Sequence, residues 1–143
     1  MVIREIEPGD AAAAAELCAE LGYPCEVDVM RERIQRVASS NDCRVLVACD
    51  AEGIAGWIDI SIAHHLAAGV YGEIAGLIVA GNRRSQGIGR QLLAEAERWL
   101  VEREVGTIVV RSRVTREDAH RFYLREGYTI TKTSAVFSKQ LLS

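Results

Sequence analysis

Glu73-Ile74-Ala75-Gly76-Leu77-Ile78-Val79 runs, through Ala80-Gly81-Asn82, into Arg83-Arg84-Ser85-Gln86-Gly87-Ile88-Gly89-Arg90-Gln91-Leu92-Leu93. The first segment is an apolar run of strand type. The last one opens an amphipathic helix, because Ile88, Leu92, Leu93, Ala96, Trp99 and Leu100 fall on one face with Glu95, Glu97 and Arg98 outside. Two glycines and three arginines therefore sit at a helix entrance, where the first backbone N–H groups have no intrahelical acceptor. Such an entrance binds anions, and phosphate is the usual one. Gly87 and Gly89 remove the Cβ atoms that hold a ligand off the backbone. The helix dipole adds positive charge, and Arg84 and Arg90 supply charged donors at the rim. A glycine turn before a helix is also often no more than a turn.

Two familiar phosphate motifs are excluded. A P-loop requires GxxxxGK[ST], but Gly81 and Gly87 are spaced differently and Ile88 stands where lysine is needed. A dinucleotide fingerprint requires a third glycine, and Leu92 occupies that position. Nucleotide hydrolysis and hydride transfer lose their main support.

Outward from this segment the chain reads as one mixed α/β domain over residues 1–143. Val2 to Ile6 is a strand, stopped by Pro8-Gly9-Asp10, with Asp10 as N-cap of a helix from Ala11 to Leu21 that Gly22 ends. Val27, Met30, Ile34 and Val37 place a second helix over about Val27 to Ala38. Arg44 to Cys49, Ile54 to Ala63 and Val70 to Val79 form a β-meander, with His64 to Gly69 as a loop. After the long helix come a strand at Thr107 to Val110, a helix at Glu117 to Glu126 stopped by Gly127, and a last strand at Tyr128 to Phe137. The order is β-α-α-β-β-β-α-β-α-β.

Composition narrows the function classes. Half the chain is apolar (49%), enough for a core, and the net charge of −3 argues against general nucleic-acid binding. No apolar stretch approaches a bilayer span, and Met1 to Glu7 alternates like a strand rather than a signal peptide. A cytoplasmic protein with no membrane partner is expected. Cys18, Cys25, Cys43 and Cys49 contain no CxxC pair, so they read as small apolar residues and not as metal ligands.

The chain resembles the GNAT superfamily of N-acetyltransferases. The resemblance rests on three blocks in order and at similar separation. They are the strand Glu73 to Val79, the turn Arg84-Ser85-Gln86-Gly87-Ile88-Gly89, similar to an [Arg/Gln]-x-x-Gly-x-[Gly/Ala] pyrophosphate turn, and Ala119-His120-Arg121-Phe122-Tyr123-Leu124-Arg125-Glu126-Gly127-Tyr128. It implies a GNAT-like acyl-CoA N-acyltransferase fold, with a twisted, mostly antiparallel sheet flanked by helices and a splayed pair of strands at Ile74 to Val79 and Thr107 to Val110. It implies acetyl-coenzyme A as co-substrate, no metal, and a primary amine of a small molecule, peptide or protein as acceptor, by direct attack in a ternary complex. Coenzyme contacts are implied at the backbone of Leu77, Ile78 and Val79 and at Arg84, Ser85, Gln86, Gly87, Ile88, Gly89 and Arg90. Self-association as a homodimer is common in the family.

Chemistry assigns the remaining roles. An alkylamine of pKa about 10.4 must lose a proton before attack. Glu73, eleven positions before Arg84, is the candidate base, and the resemblance supports it. Asp59, mid-strand between Ile58 and Ile60, is the alternative, as base or as ammonium ligand, and equally a solvent-facing residue; water-mediated proton removal is a further route. Tyr123 resembles the family's general acid for the leaving thiolate. Arg116 stands where many members carry a pantetheine-binding asparagine. That departure keeps a second function open, a non-catalytic acetyl-coenzyme A sensor. Arg111, Arg113 and Arg116 form an alternating basic run, by default a solvated face and alternatively a phosphate rim.

Overall fold

Ile58, Ile60 and Ile62 alternate with Trp57, Asp59 and Ser61 along one strand, so its two faces meet different surroundings. A computed structural model describes residues 1–112 and 115–143. The elements are β1 (Val2–Glu5), α1 (Ala11–Glu20), α2 (Val27–Ala38), β2 (Cys43–Asp50), β3 (Gly53–His65), β4 (Gly69–Val79), α3 (Ile88–Glu102), β5 (Ile108–Val110) and α4 (Glu117–Arg125). The five strands lie in chain order in one sheet. The pairs from β1 to β4 are antiparallel, and β4–β5 is parallel. A parallel neighbour requires a crossover, and α3 provides it. Among the described residues no helix is long and apolar enough to cross a membrane.

The chain divides into two units, Met1–Arg111 and Ser112–Ser143. In the first, α3 covers one face of the sheet through Leu92, Leu93, Ala96 and Leu100, all buried with Ile58 and Ile60. Full burial of each large side chain contributes roughly 1.5–3 kcal/mol. The other face carries the cluster Ala11, Ala14, Ala15, Met30 and Ile34 of α1 and α2, with Cys18, Cys25 and Trp57 packed against it. The four cysteines are free.

Close approach under α3 depends on glycine. A Cβ on Gly56 would lie 2.6 Å from the Ile78 carbonyl oxygen and 3.3 Å from Val79 Cα. Backbone cannot move aside as a flexible side chain does. Gly56→Ala is therefore expected to destabilise the protein by about 1–3 kcal/mol, as overpacking does. A urea midpoint equal to that of the wild type would contradict this.

Asp10 does not cap α1. Its carboxylate takes two hydrogen bonds from Arg4, at 2.8 and 2.9 Å, and one from the Glu7 N–H at 2.8 Å, closing the 3-10 turn Pro8–Asp10. Arg4, foremost, holds the Asp10 carboxyl below its ordinary value of 3.8. Asp10's stabilising contribution is then complete above that ordinary value and disappears as pH falls through the folded value. Unfolding stability is expected to drop more steeply on acidification from about pH 5 to about pH 2 in the wild type than in Asp10→Asn; parallel curves would remove this role.

Two further sequence expectations are corrected. His64 and His65 belong to β3, paired with Val70 and Gly69. Gly69, at φ 78°, lets the chain reverse over Leu66, Ala67 and Ala68 alone. In the second unit, Tyr128 to Phe137 forms no strand among the described residues. Ile130, Val136 and Phe137 are 70%, 84% and 94% exposed. Strand propensity amounts to fitting a half-buried pleated surface, and Thr129 to Ser134 gives neither alternating face a continuous apolar row.

Candidate functional site

After β4 the chain makes a 3-10 turn at Gly81–Arg83, and then Ser85 (φ 66°) and Gly87 (φ 77°) enter the left-handed region. Gly87 is the residue before α3, and the first bond of the helix runs from the Gln91 N–H to the Gly87 carbonyl at 3.1 Å. The N–H groups of the first turn thus point out of the helix end.

The arginines at this entrance have different employments. The Arg83 guanidinium, only 14% exposed, pairs with Asp50 and with Glu52 at 3.2 Å, and its Nε donates to Gln86 at 3.2 Å. Arg83 therefore ties the turn to the β2–β3 corner. A second tie runs from the Gly81 N–H to Glu20 of α1 at 3.1 Å. Arg84 is exposed and has no ion pair among the described residues, so its charge is available at the rim.

The strand leading into the turn has one open edge. The β4–β5 ladder covers Gly72 to Ile74 and stops at Val110, while β4 continues five residues further to Val79. A register shift between Asp59 and Ile60 marks a bulge at Ala75. Beyond it, Ala80 N–H donates to Ala55 at 2.8 Å, and Ile78 faces Trp57. Backbone direction alternates along an antiparallel strand. Ile78 therefore turns its N–H and C=O toward β3, whereas Leu77 and Val79 turn theirs to the open edge.

Glu73 lies where β4 and β5 still pair, opposite Val109 and Ser61. Its Oε1 accepts a hydrogen bond from Arg111, the residue after β5. The Glu73 carboxylate and the neighbouring Tyr71 side chain raise the Arg111 guanidinium pKa, Tyr71 most. Tyr71 is itself buried, with its hydroxyl 3.4 Å from His65 Nδ1 and the two rings edge to face at 5.3 Å. Asp59 is on the same sheet face as Glu73, across the bulge. Burial pushes its carboxyl pKa up, and no hydrogen bond or ion pair reaches it among the described residues. The neighbouring Trp57 Nε1 is buried without a hydrogen-bond partner, its ring 3.1 Å from where a Gly76 Cβ would be. Around Glu73 the face thus holds a carboxylate tethered to the Arg111 guanidinium and, across the bulge, a second carboxylate without a partner among the described residues.

In the second unit, α4 ends in Gly127 at φ 95°, with Tyr128 N–H donating to the Tyr123 carbonyl at 2.9 Å. Tyr123 packs against Phe122 and Tyr128, with ring centroids 5.1 and 5.5 Å away. Burial pushes its phenol above the ordinary 10.0, with Arg116 acting in the opposite sense. A phenol so placed is protonated at neutral pH and can donate. Arg116 immediately precedes α4; Arg113 lies outside the described residues.

The sequence reading missed the Glu73–Arg111 pair and the Arg83–Asp50 tie. Arg111 looked like one charge in a basic run. Only the parallel register, Glu73 opposite Val109, brings residue 111 beside it. A signal did exist for Arg83: acidic Asp50 and Glu52 in a turn adjoining a strand whose partner ends at the glycine turn.

Comparison with known proteins gives these features a family. Residues 11–128 match the model of the acetyltransferase (GNAT) family. An aminoalkylphosphonate N-acetyltransferase of Salmonella typhimurium is 42% identical over 76 residues, 52% of this chain and 49% of that protein, so the match spans about half of the relative's length. An aminoglycoside N(6')-acetyltransferase type 1 of Stenotrophomonas maltophilia is 29% identical over 97% of this chain and 93% of its own. The fold is that of AAC(6')-Iy, solved in complex with the bisubstrate analogue CoA-S-monomethyl-acetylneamine, at TM-score 0.86 and 17% identity over 98% of both chains. The chain belongs to the acetyltransferase (GNAT) family of acetyl-coenzyme A-dependent N-acetyltransferases.

Proposed function

We propose that this protein, acting as a single domain over residues 1–143, transfers the acetyl group of acetyl-coenzyme A to a primary amine by direct attack in a ternary complex. The observation that carries this is the open edge of β4 running into the left-handed Gly87 turn at the head of α3. The edge suits an extended amide-bearing arm, and the helix head suits the pyrophosphate that follows it. The backbone groups of Leu77 and Val79 bond the pantetheine, with Ile78 keeping the segment on β3. The turn from Arg84 through Ser85, Gln86, Gly87, Ile88 and Gly89 to Arg90 holds the phosphates. Both named relatives act on small-molecule amines, which favours a small molecule over a peptide or protein as acceptor.

Glu73 takes a proton from the bound ammonium, and the neutral amine then attacks the thioester carbon. The carbon–nitrogen bond forms as the carbon–sulfur bond breaks, and a backbone N–H near Val79 supports the developing oxyanion. Tyr123 gives its proton to the departing thiolate, and the acetylated nitrogen sheds its surplus proton to restore the phenol or to solvent. No metal takes part. The enzyme is placed in the cytoplasm, with no nucleic-acid or membrane partner, and a homodimer is a compatible state.

Thiol release from acetyl-coenzyme A across a panel of small amines tests this directly. Amine-dependent release is expected. Tight coenzyme binding with no release on any acceptor would instead support the sensor that Arg116 kept open. Tyr123→Phe should lower kcat by about 100-fold, within the range for loss of a general acid, with little change in acetyl-coenzyme A affinity. An unchanged kcat would remove Tyr123 from that role.

A further inference from the structure

Glu73 cannot be a free base in the resting protein, because Arg111 holds its Oε1. The guanidinium also neighbours Tyr71, a buried ring set edge to face against His65. It remains about half exposed (51%), against 30% for Glu73. Arginine carries five N–H donors in a planar fork matched to oxyanions, so the bond to Glu73 leaves others for a ligand. On the same face Asp59 is a carboxylate with no cation of its own among the described residues. The face therefore presents a partly exposed cation paired to the carboxylate that the reaction needs.

We propose that the acceptor is a short amine that also carries an acidic oxyanion group, a carboxylate or a phosphonate, and that Arg111 is the residue that selects it. This rests on the acetyl-transfer reading above and narrows its acceptor. The acid group binds the unused face of the Arg111 fork and draws the guanidinium off Glu73. The freed carboxylate then receives the ammonium at the other end of the same molecule. One internal ion pair is exchanged for two between protein and substrate, and only an acceptor bearing both charges achieves this. A plain alkylamine must break the Glu73–Arg111 pair with nothing to offer the guanidinium. Tyr71 is a positioning residue, keeping Arg111 in place when it releases Glu73.

The test compares kcat/KM for 2-aminoethylphosphonate, β-alanine and n-propylamine, in the wild type and in Arg111→Gln, Arg111→Lys and Tyr71→Phe. Acetyl-coenzyme A affinity, set at the Gly87 turn, reports that each variant is folded. One or both acid-bearing amines should exceed propylamine by about 10- to 100-fold, the value of one charged hydrogen bond, and the better of the two names the acid. In Arg111→Gln that ratio should fall close to one, chiefly through KM, while Arg111→Lys keeps part of it. Tyr71→Phe should reduce it severalfold. A wild-type ratio near one, or a ratio that Arg111→Gln leaves intact, overturns the proposal while acetyl transfer stands. No thiol release with any amine overturns both. If Arg111→Gln loses coenzyme binding, the Lys variant decides: an undiminished preference for the acids over propylamine would count against Arg111.

Discussion

Glu73→Gln is expected to lower kcat by about 100- to 1,000-fold, in the range of a lost general base, while acetyl-coenzyme A affinity stays near that of the wild type. Glutamine keeps the shape and can still accept a hydrogen bond from Arg111, but it cannot take a proton. The loss should be greatest well below the amine's pKa, where nearly every acceptor arrives as an ammonium ion. As pH approaches about 10.4 the free amine becomes available and the deficit should shrink. A pH–rate profile that coincides with that of the wild type would move the proton-accepting role to Asp59 or to water. Asp59 is the natural second choice, since burial already raises its carboxyl pKa and it has no cation partner among the described residues.

Gly87→Glu should abolish measurable acetyl-coenzyme A binding. The position is not crowded, for a Cβ there meets nothing within 4 Å. The effect comes instead from backbone and charge. At φ 77° an L-residue is strained by about 1–2 kcal/mol, and a carboxylate would stand at the helix end that must receive the pyrophosphate. Gly87→Asn separates these causes, because asparagine tolerates the left-handed region and brings no charge. It should retain most of the affinity. Undiminished binding by Gly87→Glu in calorimetry would refute the turn's role.

Features that depend on one segment were legible in the sequence. The apolar stripe of α3 announces its helix and its buried face without reference to any neighbour, and Gly22 and Gly127 occur where helices end with positive φ. Gly87 was read as a ligand-approach residue; its left-handed φ adds a conformational reason that sequence spacing alone does not reveal. What escaped was pairwise. Asp10 looked like a cap for α1, but its carboxylate answers Arg4 on β1. Arg83 had no role of its own in the sequence until the β2–β3 corner claimed it. Arg111 met Glu73 only through a parallel register that α3 makes possible and no local pattern encodes. At Tyr128 to Phe137 the expected strand is absent among the described residues, because propensity by itself does not create a ladder.

The central claim is that the open β4 edge and the Gly87 turn present acetyl-coenzyme A to an amine for transfer. Mass spectrometry of a reaction containing the protein, acetyl-coenzyme A with an isotopically labelled acetyl group and 2-aminoethylphosphonate, β-alanine and n-propylamine tests it most directly. The labelled acetyl group is expected on the amine nitrogen of at least one acceptor, in step with coenzyme A release, and absent with Gly87→Glu. Coenzyme bound at the turn with the label remaining on the thioester, whatever amine is supplied, would contradict it.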